Sequence, residues 1–359
     1  MKVLHIVSEY GPKGRGVPQK VVRTVDAWQR FGIEADFINF ASAQIGNTGL
    51  GLEDSFKPRF RGEWIVEMHR RSKKVLEVLK QAKPDLVYTR EMVWSPGFSS
   101  ILNEFQVVIE VNSDRGNELR SNSLAAAAFW NMTSKSIHRR AAGLICVTNE
   151  LAEKFGLANI PTTVIANAVE VPTVLPKRLL SSNRPLVLML VGSPSSWIGL
   201  DRFSALSELL PEFDFVICGD LRAYAGKISE TVRVMPPCNG KVLEELLSKT
   251  CVSFGTLALS RNGMIEACPL KSRTSLAAGI PLIYAYKDPA LEGDEPFALR
   301  IEDRQQQTPS TLVKIKNFIK KASVDPDLSL KAWRFAQNNL DIDILEKRRI
   351  RFFNSIIDS

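Results

Sequence analysis

The sequence has few of the residues from which metal centres and disulfide frameworks are built. Its 359 residues include only five cysteines and three histidines. No two cysteines form a Cys-x-x-Cys pair, and the histidines at positions 5, 69 and 138 show no metal-ligand spacing, which argues against both kinds of site. Cys146, Cys218 and Cys251 stand in apolar runs, which is typical of small buried side chains in a reducing compartment.

Long apolar runs and a dedicated charged tail are also lacking. No stretch approaches the roughly 18 apolar residues of a membrane span, and the first residues resemble a β-strand rather than a signal peptide. The net charge of +8 is spread evenly along the chain, which suits anionic partners such as nucleotides, phospholipid headgroups or lipid phosphates and does not single out nucleic acid. We therefore expect a cytoplasmic protein without a nucleic-acid partner. Any contact with lipid is expected to be peripheral, at the inner face of the membrane.

What the sequence does contain is a regular alternation of short apolar runs with helical periodicity. The pattern begins at Val3–Val7, is interrupted by a proline-rich stretch over 170–185, and restarts at Leu186–Val191. This rhythm predicts an α/β protein with two doubly wound, Rossmann-like domains. We place the first domain at 1–175 and the second at 186–340, with 341–359 returning to the first. Functional residues should lie in the loops after the strands.

The segment from Gly263 to Ile283 is the most informative. Glu266 stands just before a helix predicted over Lys271–Ala278, and a buried strand follows Pro281. The free amides of a helix N-terminus suit a diphosphate, and a carboxylate beside them suits sugar hydroxyls. The alternative is an ordinary helix start at which the helix dipole favours an acid. The segment taken alone favours the ordinary helix start, because an acid at that place is common.

This segment resembles the retaining glycosyltransferases of family 4, which have the GT-B fold. The family pattern is Glu-x7-Glu, a helix, and Ala-x-Gly-x-Pro-Val/Leu, and Glu266, Ala277, Gly279, Pro281 and Leu282 match it in register. The resemblance extends over nearly the whole chain. It implies two domains facing a cleft, with the acceptor bound by the first and the donor by the second.

The resemblance also implies roles for individual residues. Glu266 would contact the transferred sugar as the catalytic residue, and the amides of Cys268, Leu270 and Lys271 would face the donor diphosphate. The loop containing Gly192 and Ser193 would border the donor. On the acceptor side, the resemblance implies a site that contains Gly14, Gly16, Asn112 and Asp114.

Two departures from the family pattern affect the donor site. The second Glu of the pattern, which binds the ribose in the family, falls on Thr274. The Arg and Lys that the family places in the loop after the first strand of the second domain fall on Ser193 and Ile198. We hypothesise that Lys271 or Arg261 supplies the missing charge. For Lys271, a solvated helix face is an equal alternative.

A basic amphipathic helix is predicted over Glu63–Gln81. Its apolar residues suit docking on an anionic membrane, or an ordinary surface helix whose apolar stripe lies in the core. We favour the second interpretation.

The activity implied by the resemblance is transfer of a sugar, with retention, from a nucleotide diphosphate sugar to a saccharide or lipid-linked acceptor. Surface polysaccharide or glycoconjugate synthesis is the expected setting, and no metal or cofactor is implied. Two alternatives remain: a GT-B sugar-nucleotide epimerase or hydrolase, and a catalytically degenerate binding or scaffold protein.

Overall fold

The computed structural model describes residues 1–7, 17–40, 43–46, 63–120, 123–180, 183–192 and 194–358. The chain divides into two compact units. The first unit comprises Met1–Ile165 together with Glu346–Ser359, and the second comprises Ala166–Leu345.

The first unit is built on a sheet in which short buried strands alternate with helices. Its strands among the described residues are β1 (Lys2–Val7), β2 (Glu34–Asn39), β3 (Gln44–Ile45), β4 (Leu86–Arg90), β5 (Val107–Val111), β6 (Gly143–Cys146) and β7 (Thr162–Val164). The sheet order is β3-β2-β1-β4-β5-β6-β7, and all pairs are parallel except β2 with β3. Its helices are α1 (Val17–Arg30), α2 (Glu63–Ala82), α3 (Pro96–Glu104), α4 (Arg115–Arg120), α5 (Leu124–His138) and α6 (Asn149–Phe155).

The two faces of this sheet carry different side chains, because successive residues of a strand point to opposite sides. Ile6 of β1 and Ile109 of β5 belong to an apolar cluster with residues of α2, α3 and α5. On the other face lies His5, whose ring centroid is 4.8 Å from that of Tyr88. Burial lowers the pKa of His5 to about 3, so this imidazole is a neutral part of the core.

Helix α2 is an ordinary surface helix whose apolar stripe packs against the core. Val75 and Leu79 are fully buried in the apolar cluster, and Met68 packs against it. Arg71 is also buried, and its Nε lies 2.5 Å from Glu67. The apolar stripe of this helix therefore faces the protein rather than a membrane.

The second unit repeats the same architecture. Its strands are β8 (Leu186–Leu190), β9 (Asp214–Cys218), β10 (Val232–Met235), β11 (Thr250–Phe254), β12 (Leu282–Tyr284) and β13 (Ala298–Arg300). The order β10-β9-β8-β11-β12-β13 is that of a Rossmann sheet, and all its pairs are parallel. The helices are α7 (Leu200–Leu209), α8 (Gly240–Lys249), α9 (Leu270–Ala277), α10 (Pro309–Val324) and α11 (Pro326–Asn339).

The described residues of the proline-rich segment that interrupts the pattern lie along the second unit. Arg178 donates to the carbonyl oxygens of Gly279 and Thr250 and, at 2.8 Å, to Ser329 Oγ. Burial lowers the pKa of Arg178 to about 10. The indole of Trp333 donates to the Pro172 carbonyl at 2.9 Å.

The last helix, α12 (Ile342–Ile357), joins the first unit from Glu346 onward through a buried ionic cluster. Glu346 accepts from Trp28 Nε1 at 2.8 Å and also pairs with Arg349. The Arg349 guanidinium in turn lies 3.4 Å from Glu110 of β5. Among the described residues, no helix has the length and apolar character needed to cross a membrane.

Candidate functional site

The carboxyl edge of the second sheet has a topological switch point between β8 and β11, since the chain leaves these neighbouring strands in opposite directions. Ligands of doubly wound folds bind at such points. Gly192 and Gly255 follow the two strands closely. A Cβ atom at Gly255 would lie 3.1 Å from Tyr286 Oη and 3.2 Å from Ser272 Oγ, so a larger residue would crowd this edge.

Glu266 is held beside this edge by its own backbone. It pairs with Lys287 in an isolated parallel bridge, in which Ala267 N donates to the Lys287 carbonyl at 3.0 Å. Lys287 N donates in return to the Ile265 carbonyl at 2.8 Å. The half-buried Glu266 therefore stands at a fixed backbone position, three residues before the N-cap of α9.

The N-terminus of α9 is left open by its own sequence. Pro269 occupies the N-cap position, where it provides no side-chain hydrogen bond. Among the described residues, no acceptor is bonded to the amides of Cys268, Leu270 or Lys271. These N–H groups and the positive end of the helix dipole form a site suited to an anion.

Lys271 adds a side-chain ammonium group to this helix end. Its Nζ lies 2.9 Å from the position that a Cβ would take at Gly192, so a larger residue at position 192 would displace the ammonium group. Burial lowers the pKa of Lys271, and no acidic side chain in the described part of the chain offsets that effect. An ammonium group that is half-buried without a counter-ion suits an anionic ligand.

Arg261, the other proposed cation, already has a partner. Its guanidinium bonds both carboxylate oxygens of Asp201, at 2.8 and 2.7 Å, and the Ser196 carbonyl at 3.0 Å. The hydrogen bond from Arg261 lowers the pKa of Asp201. In this arrangement Arg261 joins the start of α7 to the preceding turn rather than facing α9.

Thr274, Ile198 and Ser193 are the positions at which the sequence departs from the family pattern. The Thr274 hydroxyl donates to the Leu270 carbonyl one turn earlier, at 3.0 Å, so its only proton is used within the helix. Ile198 packs against the apolar core of the unit. Ser193 lies outside the described residues.

A buried polar network supports the open helix end, and the sequence analysis did not identify it. Arg273 forms two hydrogen bonds of 2.6 Å with Asp288, and both side chains are 0% exposed. Arg273 also donates to Cys268 Sγ at 3.0 Å. Asn167 donates from its amide nitrogen to the same sulfur at 3.0 Å and from Nδ2 to the Cys268 carbonyl at 2.7 Å. Cys268 is thus held from two sides, which fixes the direction of the neighbouring amides.

The signal for this network in the sequence was an arginine among residues of α9 that are otherwise small or apolar and buried, namely Ser272, Ser275, Leu276 and Ala277. Its partner Asp288 lies beyond the next strand, and no spacing rule relates the two positions.

The predicted acceptor-side residues of the first unit bond within their own unit. Asn112 Nδ2 donates to Glu110 at 2.6 Å. Asp114 accepts from Asn117 N at 3.1 Å and pairs with Lys154. Gly14 and Gly16 lie outside the described residues.

Glu110 is the centre of this region, and the sequence analysis did not single it out. It lies in a buried strand, 2.8 Å from Lys20 Nζ, and accepts from the Tyr88 hydroxyl. Burial alone would raise the pKa of Glu110, but Lys20, Arg349 and Arg90 hold it well below its usual range. Within the described parts of the chain, no group of His, Cys, Asp or Glu is arranged to hold a metal ion.

Solved structures similar to the chain come from glycosyltransferases, whereas models of protein families and curated proteins gave no match. Sucrose-phosphate synthase from Thermosynechococcus elongatus aligns with a TM-score of 0.73 and 13% identity over 99% of both chains. Anabaena HepE in complex with UDP-glucose aligns with a TM-score of 0.64 and 15% identity, over 99% of this chain and 100% of the other.

A third similar structure is an α-glucosyltransferase in complex with UDP and DNA, with a TM-score of 0.63 and 13% identity over 100% of both chains. At these identities the likeness concerns the fold. The prediction of two Rossmann-like α/β units is confirmed, and the chain has the GT-B fold.

Proposed function

We propose that this protein is a glycosyltransferase that uses a nucleoside diphosphate sugar as its donor. The observation that carries the proposal is the open N-terminus of α9, where amides with no acceptor in the described part of the chain and the half-buried Lys271 converge beside Gly192 at the switch point of the sheet. A diphosphate matches this arrangement in charge and in its number of acceptor oxygens. HepE, which has the same fold, is in complex with UDP and glucose in one structure and with UDP-glucose in another, which supports a UDP-sugar as the first donor to test.

In this proposal each residue has a distinct task. The amides of Cys268, Leu270 and Lys271 bind the diphosphate, and the Lys271 ammonium offsets the charge that develops as the nucleotide leaves. Glu266 contacts the donor sugar. Lys271 therefore takes the place of the loop cations that are absent from positions 193 and 198. The reaction proceeds with retention, without a metal or cofactor.

The acceptor we propose is a saccharide or a lipid-linked saccharide, and the setting is cytoplasmic synthesis of surface polysaccharide or glycoconjugate. A nucleic-acid acceptor is disfavoured by the even distribution of the charge. Incubation of the protein and a donor with saccharide, lipid-linked or hydroxymethyluracil-DNA acceptors shows which class of acceptor receives the sugar.

Calorimetric titration with UDP and UDP-glucose tests the donor site. Lys271→Ala is expected to weaken binding by roughly ten- to a hundredfold, because a charge-assisted hydrogen bond contributes about 1.5–3 kcal/mol. Lys241→Ala, which removes the same charge from an exposed position of α8, is the matched control and should leave binding unchanged. Equal effects of the two variants, or no binding of any nucleotide sugar, would refute the proposed site.

Glu266→Ala should retain UDP binding and lose transfer. The configuration of the new glycosidic bond, determined by NMR, tests retention. A product formed from the donor alone would favour the epimerase or hydrolase alternative. Absent donor binding together with a specific protein partner would favour the scaffold alternative.

A further inference from the structure

Helix α5 exposes an apolar stripe to solvent. Its outward residues recur at helical spacing, and Leu124 is 74% exposed and Met132 80% exposed. Ala125 and Ala128 are also exposed and lie between them on the same face. The opposite face is buried through Ala127, Trp130, Ser134, Ile137 and His138. The stripe therefore extends over more than two turns without a charged side chain.

Cations flank this stripe along the chain. Lys135, Arg139 and Arg140 are exposed at its C-terminal end, and Arg120 is exposed at the end of the preceding helix. The chain has no Asp or Glu between Glu118 and Glu150, so α5 and its flanks carry charge of one sign only. Among the described residues these four cations form no ion pair.

We infer that this face of α5, defined by Leu124, Ala125, Ala128 and Met132 with Lys135, Arg139 and Arg140, docks the protein on an anionic lipid surface. Exposed apolar side chains bordered by cations are the pattern of a helix that lies in the membrane interface. The apolar residues insert among the acyl chains near the headgroups, and the cations contact the lipid phosphates.

Two other helices with basic residues do not fit this role as well. The apolar stripe of α2 is buried in the core, as described above. Helix α10 exposes Val313 and Val324, but lysines and an asparagine occupy its outward face between them. Of these three helices, α5 alone combines an exposed stripe of apolar side chains, with Asn131 at its edge, with cations that form no ion pair within the described residues. The inference does not depend on the donor site, and it supplies a surface for the lipid-linked acceptor proposed above.

Flotation of the full chain with lipid vesicles tests the inference. We expect binding to phosphatidylcholine vesicles that contain phosphatidylglycerol, and little binding to phosphatidylcholine alone. Replacing Lys135, Arg139 and Arg140 by Gln should weaken binding by roughly a hundredfold, since each cation near an anionic surface contributes about a fivefold factor. Leu124→Ser with Met132→Ser should weaken it by at least about tenfold.

The matched control is Val313→Ser with Val324→Ser on α10, which removes two exposed apolar side chains beside lysines of the second unit. This variant should bind as tightly as the original chain. Circular dichroism checks that each variant is folded, which is expected because all replaced side chains are exposed.

Three outcomes overturn the inference: no preference for anionic vesicles, loss of binding in the α10 variant but not the α5 variant, or binding that survives Leu124→Ser with Met132→Ser. A change of oligomeric state in the α5 variant without lipid would assign the face to contact with a second copy of the chain instead. Nucleotide binding measured on the same samples reports on the proposed donor site separately.

Discussion

Replacement of Arg273 by Met is expected to destabilise the second unit strongly. Asp288 would then be left as a carboxylate with 0% exposure and without its two hydrogen bonds of 2.6 Å, and Cys268 would lose a donor. Breaking one side of a buried ion pair costs about 3–5 kcal/mol, because a charge remains in a medium that solvates it poorly.

Urea denaturation followed by circular dichroism measures the free energy of unfolding of each variant. The double variant Arg273→Met with Asp288→Asn should recover part of the loss, since it removes the uncompensated charge as well. Lys249→Met on α8 is the control, because its pair with Glu245 is exposed and salt bridges of that kind contribute little.

The reasoning would be refuted if Arg273→Met were no more destabilising than Lys249→Met, or if the double variant were less stable than Arg273→Met alone. Because Arg273 also orients Cys268, the single variant should bind UDP more weakly wherever it remains folded. Titration at a temperature below the unfolding transition separates this effect from the loss of stability.

Three further predictions follow from buried groups. The pKa of His5 falls from 6.5 to about 3 on burial, so the unfolded chain binds an extra proton between those values and stability should fall by about 1.4 kcal/mol per pH unit as the pH drops through them. His5→Phe should flatten that part of the stability curve, and an unchanged slope would contradict the assignment. Arg349→Met should release α12 to limited proteolysis, whereas Arg351→Met, on the exposed side of the same helix, should not; equal cleavage would refute the role of the buried ion pairs. The sulfur atoms of Cys218 and Cys238 are 3.2 Å apart, so hydrogen peroxide should oxidise this pair of thiols to a disulfide while it is itself reduced to water. Intact mass and thiol titration check this, and Cys238→Ser is the control; two thiols still reactive after peroxide treatment would contradict it.

Much of the fold was predictable because its signals are local. The apolar runs that start the two halves at Val3–Val7 and Leu186–Val191 form the strands Lys2–Val7 and Leu186–Leu190, since continuous apolar runs between turns define strands of a parallel sheet. The helix after Glu266 begins at Leu270, one residue before its predicted start. The bounds of helix α5 were not predicted, because its outward face is as apolar as parts of its inward face and the usual periodicity of polar residues is missing.

The candidate site was only partly predictable for a related reason. Glu266 and the amides that follow it belong to one continuous segment, so the sequence alone indicated an acid next to a helix N-terminus. The two hypotheses for the missing cations, by contrast, depended on distances. Lys271 proved to lie against Gly192 without an acidic neighbour in the described part of the chain, while Arg261 is bonded to Asp201.

The sequence by itself determined the alternation of strands and helices, the proline-rich break between the two halves, and the open helix end after Pro269. These features depend on neighbouring residues, whose backbone preferences and burial act over one or two turns. Only the tertiary structure decided which charges are paired. Arg349 and Glu110 of the first unit are 239 positions apart, and Arg273 of the second unit meets Asp288 across a strand. Burial in the core of each unit therefore joins groups that no local pattern relates. The physical reason is that a buried charge requires a partner, and any part of the chain that the fold brings close can provide it.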